Sequence, residues 1–465
     1  MNRPRVVVAG GGLAGITAAL ECADAGAHVT LVEKRTGLGG LTRSFRHGDL
    51  WLDNGQHVFL RCCTEYLSLL YRIGAADEVE LQDRLDIPVV SPARNAGGQP
   101  VIGNLRRSGW PVPLHLAGSL VRYPHLGIAD RLKLGRAVLG LSRLRLDDPA
   151  LDLHTFASWL RAHHQSDAAI TALWDLITVP TVNLPAAQAS LTMAAKVFKT
   201  GLLSESSAAD IGWSRVPLGR LHGERAAAAL EGAGVEVRTG ERVRQIRTRV
   251  RGGFEVLGDG WSADADGVVV AVPHDEVGAL LPQGSVRAQE RLGDLGTSAV
   301  VDVHLVLDRR VTEWPVMSAV GSTVQWVFDR TSSSGLTSGQ LLAVSLSAAD
   351  ALLPRRPEDI ASEVQAELAR LLPSFSRARV VDSVVTKERH ATFKAVPGTA
   401  ALRPPAATSL PGLAVAGAWT DTGWPATMEG AVRSGTAAAR ACLAGAGRAL
   451  RDRSLAGAGH EEEVA

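Results

Sequence analysis

The stretch that decides the fold reads Arg5-Val6-Val7-Val8-Ala9-Gly10-Gly11-Gly12-Leu13-Ala14-Gly15. A short β-branched run passes directly into a G-x-G-x-x-G motif and then into an Ala-rich segment with helical spacing, which Gly26 ends. Residues 29–33 form a second apolar run that finishes at Glu33. Because a strand, a helix and a strand within about 30 residues open a doubly wound parallel sheet, the sequence predicts an α/β fold.

The glycine motif predicts a dinucleotide site. Gly10 makes the tight turn, Gly12 lets the backbone approach a pyrophosphate at the helix N-terminus, and Gly15 allows close helix packing. Glu33 is placed to accept hydrogen bonds from a ribose, which favours the unphosphorylated adenosine of FAD or NAD over NADP. After Lys34, the segment Gly37-Leu38-Gly39-Gly40-Leu41-Thr42-Arg43-Ser44 offers further backbone donors and a guanidinium for the pyrophosphate. This extension favours FAD.

The rest of the chain predicts two domains that alternate along the sequence. Residues 1–85, 214–280 and 400–446 are predicted to form a discontinuous FAD-binding domain, and residues 86–213 and 281–399 a substrate domain. Helical periods dominate between 86 and 213, whereas alternating apolar residues after Ser298 predict an antiparallel strand. An Ala-rich helix is expected to reach about Ala444, and residues 447–465 are predicted to be disordered.

Composition narrows the functional class. The 465 residues include 49 Lys and Arg against 48 Asp and Glu, so no general basic surface for nucleic acid is predicted. The four cysteines have neither disulfide nor zinc spacing, which predicts no metal site and fits a reduced compartment. With no long apolar run and no room for a signal peptide, we expect a cytoplasmic protein that is at most peripheral at the inner face of the cell membrane.

Three later segments carry a resemblance to a known family. They are Leu52-Asp53-Asn54-Gly55-Gln56-His57, Lys387-Glu388-Arg389-His390-Ala391-Thr392-Phe393 and Trp424-Pro425-Ala426-Thr427-Met428-Glu429-Gly430-Ala431-Val432-Arg433-Ser434-Gly435. With the glycine motifs, they resemble the flavin amine oxidase and phytoene desaturase superfamily over nearly the whole chain. Within it, the first two segments, followed by the third, resemble the squalene-associated FAD-dependent hydroxysqualene dehydroxylases. The resemblance implies a Rossmann-like FAD-binding domain of the amine-oxidase type with an inserted mixed α+β substrate domain.

The resemblance also implies which residues hold FAD. Val243 would touch the adenine side, and a helix beginning near Thr427 would aim the Met428 N–H at the C2 carbonyl of the flavin. The superfamily commonly has an acid where this chain has Ala418, so Asp421 is either its substitute or a loop acid without a ligand. The full set is Gly10, Gly12, Leu13, Ala14, Gly15, Glu33, Lys34, Gly39, Gly40, Leu41, Thr42, Arg43, Val243, Asp421, Thr427 and Met428.

The residue types around the expected flavin decide between reactions. The strand at 298–304 lacks the lysine that is common in amine oxidases, and Thr427 stands where an aromatic cage residue is expected. The resemblance instead implies reductive removal of the hydroxyl of hydroxysqualene, a long apolar isoprenoid, with an unknown electron donor. Two alternatives stay open: oxidative desaturation of a carotenoid or related isoprenoid, and a non-catalytic prenyl-lipid-binding protein of the same fold.

Two groups of polar residues are candidates for proton transfer. His57 is the first candidate, with Asp53 either orienting it or capping a turn. Asp302 and His304 share one face of a predicted strand and either face the flavin or form a solvated strand face.

The substrate region contains segments suited to a lipid. Residues 178–185 and 191–203 are interpreted either as tunnel walls or as core helices. Residues 131–146 carry five basic residues and no acid among Leu and Val, with Trp110 upstream. This pattern of basic and apolar residues suits an anionic membrane surface, although a solvated Arg-rich helix would show the same pattern.

Overall fold

The computed structural model describes the backbone of residues 3–461 and the side chains of residues 3–447. Over this range the strands are β1 (Arg5–Ala9), β2 (His28–Glu33), β3 (Ser44–His47), β4 (Leu50–Asp53), β5 (Val58–Leu60), β6 (Val79–Leu81), β7 (Asp86–Arg94), β8 (Pro100–Arg106), β9 (Ile211–Ser214), β10 (Glu236–Thr239), β11 (Val243–Thr248), β12 (Phe254–Gly258), β13 (Ser262–Ala265), β14 (Gly267–Val270), β15 (Ser298–Leu307), β16 (Val316–Ala319), β17 (Trp326–Asp329), β18 (Gln340–Leu346), β19 (Val380–Thr392) and β20 (Leu413–Val415).

The helices of the same range vary from one turn to nine. They are α1 (Leu13–Asp24), α2 (Thr64–Arg72), α3 (Ala117–Arg122), α4 (Ile128–Arg143), α5 (Phe156–Ala162), α6 (Asp167–Ala169), α7 (Asp175–Val182), α8 (Leu191–Leu202), α9 (Arg225–Gly232), α10 (His274–Leu280), α11 (Thr331–Ser334), α12 (Pro357–Leu371) and α13 (Met428–Glu461). No helix in the described part of the chain combines the length and the hydropathy needed to cross a bilayer.

A parallel sheet with the strand order β10-β2-β1-β14-β20 is the centre of the first domain. Val6, Val7 and Val8 of β1 are all buried, as expected for a parallel strand that is covered on both faces. One face packs against α1, α2, α9 and α13, and the other packs against α10 and the antiparallel layer β11-β12-β13. The prediction of a doubly wound α/β domain is confirmed.

A mixed sheet with the order β19-β15-β18-β17-β16-β7-β8 forms the second domain. Its pairings are antiparallel except for β16 with β7. One face packs against α12 through Val301, Val303 and Leu305, and the strands near β7 pack against α4, α5 and α8. The predicted antiparallel strand after Ser298 is therefore confirmed as β15.

Two sequence expectations differ from the structure. The region expected to be helical from residue 86 begins instead with the hairpin β7-β8, because its apolar residues Ile87, Val89 and Val90 pair with and pack on the second sheet. Helix α13 continues through Glu461, although disorder was predicted from 447, because no proline interrupts this segment and its Ala, Leu and Arg residues favour a helix. Residues 462–465 of that predicted tail lie outside the described residues.

Helices α1 and α13 cross at glycine. A Cβ atom at Gly435 would lie 2.3 Å from the Ala14 carbonyl oxygen and 2.8 Å from Thr17 Cβ. We therefore expect Gly435→Ala to lower the free energy of unfolding by about 1–3 kcal/mol, since the overlap forces the two helices apart. Urea unfolding of the purified protein measures this change.

A matched control is Gly135→Ala in α4, where nothing lies within 4 Å of the added Cβ. That variant should be more stable by about 0.5–1 kcal/mol, because alanine is the better helix former. If both substitutions change the stability equally, close packing at Gly435 is not what requires the glycine.

Candidate functional site

The three glycines of the first motif have different surroundings. Gly10 has φ +112°, and a Cβ there would lie 2.3 Å from the Ala271 carbonyl oxygen. A Cβ at Gly15 would lie 1.8 Å from the Gly10 oxygen, so both positions exclude side chains for the protein's own packing. At Gly12 the nearest atom would be Gly40 Cα at 3.8 Å. Gly12 thus borders open space beside the N-terminus of α1, which is where a pyrophosphate is expected.

The N-terminus of α1 supplies donors to this space. Gly12 precedes the helix without a side-chain cap, and Leu13 and Ala14 lie in its first turn. The first N–H groups of a helix have no acceptor within the helix, and the helix dipole favours an anion there. The predicted roles of Leu13 and Ala14 therefore fit this position.

Glu33 lies buried at the end of β2 and is held by backbone donors. Its two carboxylate oxygens accept hydrogen bonds from the N–H of Gly11 (2.6 Å) and of Arg35 (2.8 Å). The N–H of Glu241 donates to the Glu33 carbonyl oxygen at 3.1 Å, which brings the start of β11 at Val243 to the same edge of the sheet. Glu33 and Val243 therefore lie at the same edge of the sheet, and their roles toward an adenosine stay a prediction.

Two arginines converge on the rim of the same space. The Arg35 guanidinium donates to the Gly40 carbonyl oxygen at 2.8 Å, and Arg43 donates to that oxygen at 3.4 Å. Burial, followed by the charge of Arg35, lowers the pKa of Arg43. The Glu388 carboxylate, 3.9 Å from the Arg43 guanidinium, acts in the opposite direction. Two cations that share one carbonyl oxygen are well suited to a pyrophosphate.

Other residues of the predicted set have structural partners. Lys34 forms an exposed ion pair with Glu276, Leu41 is exposed, and the Thr42 hydroxyl donates to the Gly39 carbonyl oxygen at 2.8 Å. Gly40 has φ +59°, and a Cβ there would lie 2.9 Å from Gly12 Cα. The two glycine segments therefore lie against each other.

The loop before α13 ends at a capped helix N-terminus. The Thr427 hydroxyl accepts from the Gly430 N–H at 3.1 Å, and Met428 is the buried first residue of α13. Asp421 is exposed and accepts from the Gly423 N–H at 3.3 Å. The structure thus puts Thr427 and Met428 at a helix N-terminus, where their contact with a flavin stays a prediction, and it places Asp421 in a surface turn.

A buried arginine organises this loop, and sequence reasoning missed it. The Arg403 guanidinium donates to the carbonyl oxygens of Trp419, Thr420 and Trp424 at 3.2, 2.5 and 2.8 Å. Burial lowers the pKa of Arg403 to about 10. Most of its hydrogen-bond partners are main-chain oxygens, so the sequence shows only an arginine between apolar residues.

Asp53 ties three segments together at the junction of the two domains. Its Oδ1 accepts from the Ser44 hydroxyl (2.6 Å) and from the Leu218 N–H (3.0 Å), and its Oδ2 pairs with Arg330 at 3.0 Å. These partners show Asp53 as a structural anchor of the segment that leads to His57.

His57 stands at the edge of a group of buried polar rings. Its Nδ1 lies 3.1 Å from the Gly55 carbonyl oxygen, and burial lowers its pKa. Burial and then the charge of His57 lower the pKa of His222 to about 3, and His222 Nε2 lies 2.8 Å from the Tyr66 hydroxyl. Both histidines are therefore neutral near pH 7.

Asp302 and His304 lie on the inner face of β15, opposite the face that packs on α12. Both side chains are fully buried, so the solvated strand face considered from the sequence is wrong. The Gln56 N–H donates to Asp302 Oδ1 at 3.2 Å, which places the pair directly behind the segment of Asp53 to His57. Period-2 alternation put both residues on one face, but it could not tell which way that face points.

The predicted tunnel walls form part of a dense core. Leu191, Ala194 and Phe198 of α8 are buried, and Phe198 packs on Phe156 and Trp174 with ring centroids 5.3 and 5.1 Å apart. Asn183, which follows α7, donates to the Ser298 carbonyl oxygen at 3.1 Å and so joins this core to β15. Within the described residues, no group of three or more His, Cys, Asp or Glu side chains could hold a metal ion.

The doubly wound sheet carries open space at Gly12 that suits a pyrophosphate, and it is joined to a second, mixed sheet. This combination is typical of a two-domain flavin-dependent oxidoreductase. Residues 13–443 match the family of flavin containing amine oxidoreductases, and the chain belongs to this family. A solved oxidoreductase structure from Methanosarcina mazei has the same fold, with a TM-score of 0.72 and 16% identity over 93% of this chain and 98% of its own.

Curated relatives extend over nearly the whole chain. A hydroxysqualene dehydroxylase from Zymomonas mobilis is 27% identical over 94% of this chain and 98% of its own length. Another from Rhodopseudomonas palustris is 29% identical over 96% and 99%. A zeta-carotene desaturase from Synechocystis is 27% identical over 96% and 98%.

The open space at Gly12 yields a test of the cofactor position. We expect Gly12→Val to fold but to bind flavin about 5- to 150-fold more weakly, since an overlap of about 1–3 kcal/mol falls on the ligand and not on the protein. Flavin content after purification and titration of the apoprotein with flavin measure the loss.

Gly37→Val is the matched control, because nothing lies within 4 Å of a Cβ there. It should retain its flavin. Full flavin occupancy in Gly12→Val would show that the pyrophosphate lies elsewhere.

Proposed function

We propose that the protein is an FAD-dependent hydroxysqualene dehydroxylase that removes an allylic hydroxyl and yields squalene. The observation that carries the proposal is full-length similarity to two curated hydroxysqualene dehydroxylases. The similarity to a zeta-carotene desaturase fits carotenoid desaturation as the alternative, without favouring it.

The residues that are placed for an adenosine and a pyrophosphate support FAD as the flavin. Glu33 at the end of β2 would hold the ribose, Val243 would border the adenine, and Gly12 with Arg43 would hold the pyrophosphate. Thr427 and Met428 would present the N-terminus of α13 to the ring. When bound in its reduced form, the flavin supplies the hydride for the substrate carbon.

The protein's own residues must exclude water and supply a proton. The hydroxyl of an allylic alcohol leaves readily only when it is protonated. The buried groups behind residues 53–57 lie in a water-poor environment, where a cation formed on the substrate would be shielded from bulk water. The absence of lysine on β15 makes amine oxidation the less suitable reaction.

We also propose that α4 and its neighbours dock on an anionic membrane, at the inner face of the cell membrane. Helix α4 buries one apolar stripe, Leu134, Ala137 and Leu141, and exposes a second one. The exposed stripe consists of Ile128, Leu132 and Leu139, which are 75%, 81% and 51% exposed. An exposed apolar stripe of this kind suits insertion among lipid headgroups.

Basic side chains flank the exposed stripe. Lys133, Arg136 and Arg143 are exposed, and over the described residues no carboxylate pairs with them. Arg131 differs, because its guanidinium donates to the carbonyl oxygens of Leu126 and Val121. A long isoprenoid could then pass from the membrane into the substrate domain.

The reaction is tested anaerobically with chemically reduced flavoprotein and hydroxysqualene. We expect the flavin to be reoxidised while squalene appears in an equal amount, measured by absorbance and by product mass. Turnover of a carotenoid only with oxidised flavin would instead establish the desaturase. A purified protein that binds prenyl lipid but holds no flavin would show the non-catalytic alternative.

The membrane proposal is tested with the triple variant Lys133→Glu, Arg136→Glu and Arg143→Glu. We expect salt-sensitive co-sedimentation of the parent protein with vesicles containing phosphatidylserine, and its loss in the variant, since each basic residue near the surface contributes about 1 kcal/mol. The control reverses Arg251, Arg377 and Arg440, which are exposed outside α4 and change the net charge equally. Equal binding by both triple variants would leave α4 as a solvated helix.

A further inference from the structure

A buried polar cluster lies between β15 and the segment of residues 53–57. Several of its atoms lack a hydrogen-bond partner among the described residues: Gln56 Nε2, Asp302 Oδ2, Arg330 Nε and both ring nitrogens of His304. Gln56, His304 and Arg330 also line a cavity of about 10 Å³, together with Asp53. That is roughly the room for one water molecule, so the cluster has the polarity and the space to hold one.

The cluster is costly for the fold. Val301 and Val303 alternate with Asp302 on β15 and pack on α12, whereas Asp302 and His304 are buried on the inner face. Burying polar groups without partners lowers stability by about 1–3 kcal/mol for each group. A cost of this kind is typical of groups that serve chemistry and not folding.

Gly55 separates Asp302 from His57. A Cβ at Gly55 would lie 3.5 Å from Asp302 Oδ2 and 3.5 Å from His57 Cε1. The carboxyl group and the imidazole edge therefore approach the same glycine, and no side chain stands there. Asp302 Oδ1 is occupied by the Gln56 N–H, so Oδ2 is the oxygen that can carry a proton.

His57 and Asp302 hold protons in different pH ranges. In the neutral ring, His57 Nδ1–H donates to the Gly55 carbonyl oxygen, which leaves Nε2 as an acceptor without a proton to give. Burial raises the pKa of Asp302 to about 7, although Ser345 and the Gln56 N–H act in the opposite direction. Asp302 thus retains a proton at a pH where His57 has none.

We propose that Asp302 and His57 share one dissociable proton across Gly55, and that this pair protonates the departing hydroxyl of the substrate. At rest the proton is on Asp302. When it passes to His57 Nε2, the ring nitrogen that carries no proton, the resulting carboxylate stabilises the imidazolium, and this form of His57 can donate from Nε2. The inference rests on the proposed function, because only a leaving hydroxyl needs this proton.

The carbon–oxygen bond breaks with both electrons going to oxygen, the oxygen takes the proton of the pair, and water leaves. The substrate carbon would receive the hydride that the flavin, when bound in its reduced form, would supply. Asp302 is left as a carboxylate until a proton from solvent restores it.

Both members of the pair have other titratable neighbours. Burial lowers the pKa of His57, and the Gly55 carbonyl oxygen and the charges of Asp53 and Glu388 act in the opposite direction. Asp53 acts through its charge to raise the pKa of Asp302, but it is itself paired with Arg330. Burial lowers the pKa of His304 to about 4, so this neighbour on β15 is neutral. The residues opposite Asp302 on the adjacent strands are Ser345 and Thr386, which do not titrate in this range.

The test uses Asp302→Asn, which keeps an oxygen for the Gln56 N–H but cannot release a proton. Thr386→Val is the matched control, because the Thr386 hydroxyl holds the same segment by donating to the Asn54 carbonyl oxygen at 3.1 Å. The first readout needs no substrate: infrared difference spectra of the flavin-bound protein are recorded across pH. We expect a protonated carboxyl band that titrates near pH 7 in the parent and in Thr386→Val, and is missing in Asp302→Asn.

The second readout is the single-turnover oxidation of reduced flavin by hydroxysqualene. The parent rate should fall as the pH rises through about 7, because the shared proton is lost. Asp302→Asn should be slower by about 100- to 10,000-fold and insensitive to pH in this range. His57→Ala should be slowed similarly, and the double variant no further, because both residues act in one step.

Three results would overturn the proposal. The first is a spectrum of the parent without the carboxyl band. The second is an Asp302→Asn variant that behaves like Thr386→Val, which would make Asp302 a positioning residue for the loop. The third is a parent protein that does not convert hydroxysqualene at all. In that case the proposed function is wrong, and the role of the pair in that reaction is wrong too, even if the carboxyl band remains in the spectrum.

Discussion

The fold and the site both depend on how closely α1 approaches the end of β1. This contact is possible only because Gly10 and Gly15 lack side chains, and it aligns the first turn of α1 with the carboxyl ends of the parallel strands. The Glu33 carboxylate accepts from the Gly11 N–H beside this contact, and Gly40 lies against Gly12. One backbone contact therefore determines where the N–H groups in the first turn of α1 are open to an anionic group.

The parts that could be predicted from the sequence are those with a local physical cause. The strand, glycine turn and helix of residues 5–24 follow from propensity and turn geometry within one continuous segment. The hairpin β7-β8 was missed because its partner β16 lies more than two hundred residues away. Arg403 was missed for a related reason: its role depends on carbonyl oxygens, which every residue type has.

Asp302 and His304 show the same limit for the site. Alternation along β15 places them on one face, but their burial is decided by the segment of Asp53 to His57, which covers that face. Asp53 in turn is held by Ser44, Leu218 and Arg330, which come from both domains. The site is thus formed at the domain junction, and its electrostatic character arises from contacts that no single segment of sequence contains.

The crossing of α1 and α13 has a consequence for biosynthesis. Nearly the whole chain separates Ala14 from Gly435. The sheet that contains β1 is also complete only after β14 has paired with β1 and β20 has paired with β14. The nascent N-terminal segment therefore emerges from the ribosome with its apolar strands unpaired, and it requires protection until distant partners have been translated.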